Sequence, residues 1–188
     1  IPTLDEAERI GALVGSLRRD GVEVIVVDGG SRDATPALAQ AAGAVVLRSD
    51  RGRAVQLRRG GENANGDPIL FLHADTRLAD GWHEALVQAV LDPACAGGAF
   101  AFRLSDEGFF FRWIEFWVGV RNALFRLPYG DQAIFVGRRV LESMGGVPSV
   151  PILEDLDLVR GIKAQSRLAL LPVTATTSGR RYARGRGL

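Results

Sequence analysis

Along the first eighty residues, short apolar runs and helical stripes alternate. Ile10, Leu13, Val14 and Leu17 recur at spacings of three and four, which predicts an amphipathic helix over residues 5–19. Its acidic residues come early and Arg18-Arg19 late, as the helix dipole favours. Val22 to Val27 reads as a β-branched strand ending on Asp28-Gly29-Gly30-Ser31, and Ser31 and Asp33 suit the start of a helix that runs to Ala42 and stops at Gly43. A strand over 44–47, a polar turn over 48–53, a helix from 54 to about 65 and an all-apolar strand over 69–72 follow. The order βαβαβ with short connections predicts a parallel sheet built from right-handed crossovers.

Beyond residue 72 the pattern predicts a helix near 81–91, strands at 98–104 and 133–136, helices at 138–144 and 155–165, and strands at 168–171 and 173–177. Residues 107–126 stand apart. Phe109, Phe110, Phe111, Trp113, Phe116, Trp117 and Phe125 make this segment apolar almost all round, more than one buried stripe requires. Two readings stay open: a helix wedged between the sheet and its neighbours, in a dimer contact for instance, or one that meets a lipid surface or lipid-like substrate.

Composition narrows the class. With 188 residues and 47% hydrophobic content, one domain over 1–188 is expected. A net charge of +1, from 23 basic and 22 acidic residues, gives no global field for a nucleic-acid partner. Cys95 has no second cysteine to pair with, which fits a reducing, cytoplasmic setting, and no apolar run reaches the length of a membrane span. The chain opens on Ile1-Pro2-Thr3 without Met and stops at Arg186-Gly187-Leu188, so both termini are expected to be incomplete.

The strongest candidate for chemistry is the end of the apolar run, Leu72-His73-Ala74-Asp75-Thr76. Ligands of open α/β sheets collect beyond the carboxyl ends of strands. Asp28 occupies the same kind of position after an earlier strand, so the two carboxylates could face one pocket. The loop Ser31-Arg32-Asp33 opens a helix whose first amides would suit an anion. The plainer alternative is that Asp75 caps the helix beginning near Asp80, that His73 is a satisfied polar residue, and that Asp28 only shapes a turn. No Gly-x-Gly-x-x-Gly follows the first strand and no Walker lysine motif occurs.

Five motifs in order carry a resemblance: Ile1-Pro2-Thr3-Leu4-Asp5-Glu6, Val26-Val27-Asp28-Gly29-Gly30-Ser31-Arg32-Asp33-Ala34-Thr35, Leu70-Phe71-Leu72-His73-Ala74-Asp75-Thr76, Gly130-Asp131-Gln132 and Leu153-Glu154-Asp155. Together they resemble the family-2 glycosyltransferases of GT-A fold. The His-Ala-Asp-Thr form, with Arg51-Gly52-Arg53 and Gln56, is similar to small bacterial members. The resemblance implies an α/β, GT-A type Rossmann-like three-layer sandwich with a mostly parallel central sheet. Its nucleotide-binding half would cover about 1–80 and its acceptor half about 81–188.

It also implies an inverting transfer of a sugar from a nucleotide-diphosphate sugar to an acceptor hydroxyl, assisted by a divalent metal, Mn2+ or Mg2+. Asp75 matches the last residue of the family's Asp-x-Asp element and would hold the metal; His73 replaces the first Asp and would contact ribose or phosphate. Asp28 matches the residue that reads the base, with Pro2, Thr3 and Glu6 lining that pocket and Arg51 and Arg53 approaching the diphosphate or base. Asp155 matches the family's base, Glu154 supports it, and Asp131 and Gln132 shape the acceptor side. Such a chain would work in the cytoplasm, its acceptor being either soluble or lipid-linked at the inner face of the membrane. Arg180-Arg181-Tyr182 stands where many members carry a Gln-x-x-Arg-Trp element, and its absence argues against processive synthesis. Two other readings stay open: a sugar-phosphate nucleotidyltransferase and a non-catalytic nucleotide-sugar-binding or membrane-peripheral module.

Overall fold

The structure, a computed structural model, describes residues 1–148, 154–165 and 167–179. Expectations for Leu153, for the Glu154 side chain and for Arg180-Arg181-Tyr182 lie outside the described residues. The first half follows the predicted alternation. Strands β1 (Pro2–Thr3), β2 (Ile25–Asp28) and β3 (Val45–Arg48) form a parallel sheet in the order β1-β2-β3. Helices α1 (Ala7–Leu17), α2 (Thr35–Ala41) and α3 (Arg53–Asn63) connect and follow them.

Three layers arise from the strand period of two. Val26 joins Ile10, Leu13, Val14 and Ala39 in the core on the α1 and α2 side. Its neighbour Val27 points the other way, beneath Gly60 of α3. On that second side Leu57 of α3 packs with Ile69 and Phe71 of β4 (Ile69–Phe71), so α3 covers the junction between the two sheets.

The second sheet contains β4, β5 (Thr76–Leu78), β6 (Cys95–Leu104), β7 (Ile134–Val136) and β8 (Arg167–Thr177), in the order β4-β7-β6-β8-β5. Here the expectation of a mostly parallel sheet needs refinement. Strand β4 pairs antiparallel with β7, as do β6 with β7 and β5 with β8, and only β6 with β8 is parallel. The apolar run over 69–72 therefore looks like a parallel interior strand because it is covered on both faces, not because its ladder partner is parallel.

The sheet must also curl. Strands β4 and β5 occupy opposite edges, about 19 Å apart in a flat sheet at roughly 4.8 Å per step. Yet Phe71 and Thr76 are joined by four residues. The turn in which the Thr76 amide donates to the His73 carbonyl at 3.1 Å holds its ends within about 7 Å, so the whole link spans at most roughly 15 Å. Curling closes that gap, and His73-Ala74-Asp75 lies on the seam where the two edges meet.

Two expected strands, 168–171 and 173–177, are one. The register with β6 passes from Phe100 opposite Leu171 to Ala101 opposite Thr174, leaving Pro172 and Val173 as an irregularity inside a continuous strand. Proline has no amide to give to the ladder and is tolerated at such a bulge. The remaining helices are α4 (Trp82–Val90), α5 (Phe109–Phe125), α6 (Arg138–Ser143) and α7 (Glu154–Gln165). Among the described residues no helix is long and apolar enough to cross a membrane.

Candidate active site

The loop after β1 and the loop after β2 are knitted together by their own side chains. The buried Asp28 carboxylate accepts from the amides of Gly30 and Ser31, both at 3.1 Å, and from the Ser31 hydroxyl. Ser31 Oγ in turn accepts from the Asp5 amide at 2.9 Å, and the Arg32 amide donates to Asp5 Oδ1 at 2.8 Å. These two bonds hold Asp5 at φ 54°, a left-handed conformation that short polar side chains tolerate and that tends to persist only where its surroundings enforce it.

Asp33 serves both neighbouring helices. One oxygen accepts from the amide and hydroxyl of Thr35, at the start of α2, and the other from the Ala7 amide at 3.2 Å, at the start of α1. The Thr35 hydroxyl also accepts from the Glu6 amide at 2.8 Å. The hydroxyl of Thr35 beside it holds the Asp33 carboxyl below its ordinary 3.8. A depressed value in the folded state means that Asp33 stabilises the fold above its unfolded pKa and that this contribution is lost as pH falls through the folded value. The Asp33→Asn variant should therefore have a lower Tm than the parent at neutral pH, and the difference should shrink as pH falls below about 4. A pH-independent difference would contradict this account. The expectation of outward amides for an anion at Ser31-Arg32-Asp33 is corrected by these contacts: the amides of Gly30, Ser31, Arg32 and Thr35 are already taken by Asp28, Asp5 and Asp33.

Helix α3 links this corner to the far side of the site. Buried Gln56 donates through Nε2 to the carbonyls of Thr3 at 2.9 Å and Val27 at 2.8 Å, clamping the ends of β1 and β2. One turn earlier, Arg53 lies 3.9 Å from Asp155, near the start of α7. Gly52 sits at φ 150°, so the turn before Arg53 depends on a residue without Cβ. Replacing Gln56 by Leu should cost about 2 kcal/mol, because buried carbonyls lose a donor. For a chain of this size that is roughly 4–8 °C in Tm, and an unchanged Tm would show that the clamp carries no weight.

Asp155 is mostly buried, its carboxylate packed so closely on Gly130 that a methyl group there would overlap it. Gly130 opens the short 3-10 turn Gly130–Gln132 that precedes β7. Strand β7 runs antiparallel to β4 with Phe71 opposite Ile134. The register therefore sets the Gly130–Gln132 turn, and Asp155 with it, beside the segment leaving β4, which carries His73 and Asp75. The starts of β2 and β4 also lie together: Val24, Ile25, Pro68 and Ile69 line one apolar cavity of about 200 Å³. Asp28 ends β2 and Asp75 follows β4, each beyond the carboxyl end of its strand.

Within Phe71–Thr76 every residue is buried except Asp75, which is half-buried. The capping alternative for Asp75 fails, since β5 follows directly and α4 begins at Trp82 with Gly81 as its cap. Among the described residues no three His, Cys, Asp or Glu side chains gather closely enough to hold a metal by themselves. Divalent ions that act on phosphates are usually held by one or two carboxylates and complete their shell with the phosphates and water, and a single accessible Asp75 fits that donor set.

The other expected site residues fall into two groups. Arg51 is exposed, Pro2 and Asp131 are half-buried, and the Glu6 carboxylate pairs with Arg9 at 3.1 Å. Thr3, His73 and Gln132 are buried. Gln132 is a structural centre: its Oε1 accepts from Asn122 at 3.1 Å and Arg121 at 3.2 Å, and its Nε2 donates to the Phe100 carbonyl at 3.0 Å. It fixes the turn that carries Asp131. Asp5, Ser31 and Thr35 belong to the site as loop-holding residues. The sequence quotes them inside the motifs without revealing their bonds, which join residues 26 to 29 positions apart.

Comparison with known proteins decides the family. Residues 1–140 match the model of "Glycosyl transferase family 2". The chain belongs to this family. It is 30% identical over 182 residues to glycosyltransferase AglJ of Haloferax volcanii, covering 95% of this chain and 52% of that protein. A mannosyltransferase of Pyrobaculum calidifontis, solved with GDP-mannose and Mn2+, superposes with a TM-score of 0.68 at 20% identity, covering 94% of this chain and 54% of that one. Glucosyl-3-phosphoglycerate synthase of Mycobacterium tuberculosis, solved with Mn2+ and UDP, gives 0.66 at 22% identity, covering 94% and 68%. The chain thus spans about half the length of the Haloferax volcanii relative. Family membership turns aside the nucleotidyltransferase reading, and the structural likenesses establish the GT-A fold.

Proposed function

We propose that this chain transfers a sugar from a nucleotide-diphosphate donor to an acceptor hydroxyl with inversion at the anomeric carbon. The observation that carries the reading is the junction of Asp155, Gly130 and Arg53 at the end of the fold where Asp75 emerges from its buried seam. The donor's nucleotide lies against the loops Pro2–Glu6 and Asp28–Asp33. Pro2, Glu6 and Arg51 line its approach, while Thr3, Asp28 and His73 act chiefly by shaping the wall. Arg53 faces the diphosphate from the first turn of α3. Asp75 would hold Mn2+ or Mg2+, which would supply positive charge to offset that of the departing diphosphate.

Asp155, with Glu154 adjacent in sequence, takes the proton of the attacking hydroxyl. The relatives solved with GDP-mannose and Mn2+, or with UDP and Mn2+, lend this reading support by analogy of fold.

Gly130→Ala is expected to displace the Asp155 carboxylate and lower kcat by about 100-fold, since small misplacements of a reacting group are costly. Donor affinity should stay within about twofold. A variant with full kcat would show that the contact has no catalytic weight. For the donor itself, thermal shift with a panel of nucleotide-diphosphate sugars, with and without Mn2+, is the direct test. A ligand that binds only the native state raises Tm. One nucleotide class should do so in the presence of the metal, and a panel without any shift would contradict the reading.

A further inference from the structure

Helix α5 is built inside out. Its polar residues face the fold: the Glu115 carboxylate accepts from the Leu104 amide at 2.7 Å and pairs with Arg112 at 2.7 Å, Arg112 donates to the carbonyls of Leu104 and Asp106, and buried Asn122 donates to Gln132. At 100° per residue, positions 112, 115 and 122 lie on one side. Phe109, Trp113, Phe116, Trp117 and Leu124 lie on the other, and all five are exposed, Phe109 at 86%, Phe116 at 62% and Leu124 at 70%. Asn122 is the one buried residue of the helix. The outward rings already form a set, with edge contacts between Trp113 and Trp117 at 6.0 Å and between Phe116 and Trp117 at 5.7 Å. Turning the helix to bury them would orphan the polar contacts beneath. Contiguous exposed apolar surface of this kind marks an interaction site.

Charge around the patch selects the occupant. No acid lies on the outward face: Glu115 is turned in, and Glu107 precedes the helix. At the carboxyl end Arg126 is exposed, Arg121 stacks on Tyr129 at 3.9 Å and Lys163 donates to the Phe125 carbonyl at 2.6 Å. Beside the amino end, the Gly179 amide donates to Asp106 at 2.7 Å. An aromatic stripe with Arg121, Arg126 and Lys163 at its carboxyl end suits the headgroup boundary of an anionic bilayer, in which such a helix lies flat.

We propose that α5 docks this chain on an anionic lipid surface and so directs transfer to a lipid-borne acceptor. The second clause rests on the function proposed above. Leu127-Pro128-Tyr129 runs from the helix straight to Gly130, against Asp155, so docking would bring the acceptor side of the site to the surface.

The test is co-sedimentation with vesicles of phosphatidylcholine alone and of phosphatidylcholine mixed with phosphatidylglycerol. The protein should bind the mixed vesicles, lose binding at high salt, and ignore the neutral ones. The triple variant Trp113→Ser, Phe116→Ser, Trp117→Ser should lose at least about tenfold in vesicle affinity while its Tm and its binding of UDP or GDP stay as in the parent. Leu91→Ser, an exposed apolar residue at the end of α4 and not part of the α5 stripe, should bind vesicles normally. Absence of binding, equal binding by the triple variant, or a dimer in sedimentation velocity that this variant abolishes while vesicles are ignored would overturn the proposal. Vesicle binding by a protein that binds no nucleotide would uphold the docking surface and overturn the enzymatic reading.

Discussion

Asp155→Asn should reduce sugar transfer by about 10² to 10⁴-fold, the usual weight of a general base, while leaving donor binding within about twofold of the parent. The substitution keeps the shape of the side chain against Gly130 and removes only its ability to accept a proton as a carboxylate. Its effect on stability should be small. The ion pair with Arg53 is long, at 3.9 Å, and Arg53 is 40% exposed, so solvent screens it and its loss should cost less than about 0.5 kcal/mol. A structural role for the pair makes a different prediction, that Arg53→Gln and Asp155→Asn have the same phenotype. On the account above they differ: Arg53→Gln weakens donor binding, and Asp155→Asn acts on the acceptor step. Initial rates against donor and acceptor concentration separate the two, and Asp155→Asn with normal transfer would remove Asp155 from the chemistry.

The second large effect is expected at Asp75. With no second carboxylate beside it in place of His73, this side chain is the one protein charge that the Leu72–Thr76 segment can offer to a metal. Asp75→Asn should therefore lower metal-dependent transfer by roughly 100-fold or more and abolish the increment that Mn2+ gives to nucleotide affinity. The fold should tolerate the change, because Asp75 is the half-buried member of an otherwise buried turn. Replacing His73 by Asp tests the same point from the other side. A second carboxylate should raise the affinity for Mn2+, though His73 is buried and the new charge will lower Tm.

Much of the first sheet is legible in the sequence because its signals are local. The stripe Ile10, Leu13, Val14, Leu17 specifies α1, and Val26-Val27-Asp28 ends a strand and begins a turn. What the sequence hides is non-local. Nothing in Ile69-Leu70-Phe71 announces an antiparallel partner sixty-odd residues later, and Thr76–Leu78 is too short to show alternation. The curl that places His73-Ala74-Asp75 on a seam follows only from strand order. At the site, residue types in motif order single out Asp28, Asp75 and Asp155 as candidates. They do not show that Asp28 and Asp33 consume the amides expected to be open to an anion, because a carboxylate that caps its own loop and one that reads a ligand look alike in sequence. The aromatic segment 107–126 illustrates the same limit: periodicity identifies the helix, but only the inward bonds of Glu115 and Asn122 reveal which face is turned out.

The central claim is that Asp75 ties the donor to its metal while Asp155 acts on the acceptor alone. Calorimetric titration of UDP and GDP into the parent, Asp75→Asn and Asp155→Asn, each with and without Mn2+, tests it most directly. The account predicts one nucleotide whose affinity Mn2+ raises at least tenfold in the parent and in Asp155→Asn, and leaves unchanged in Asp75→Asn. Binding indifferent to Mn2+ in the parent, or a metal increment that survives in Asp75→Asn, would contradict it.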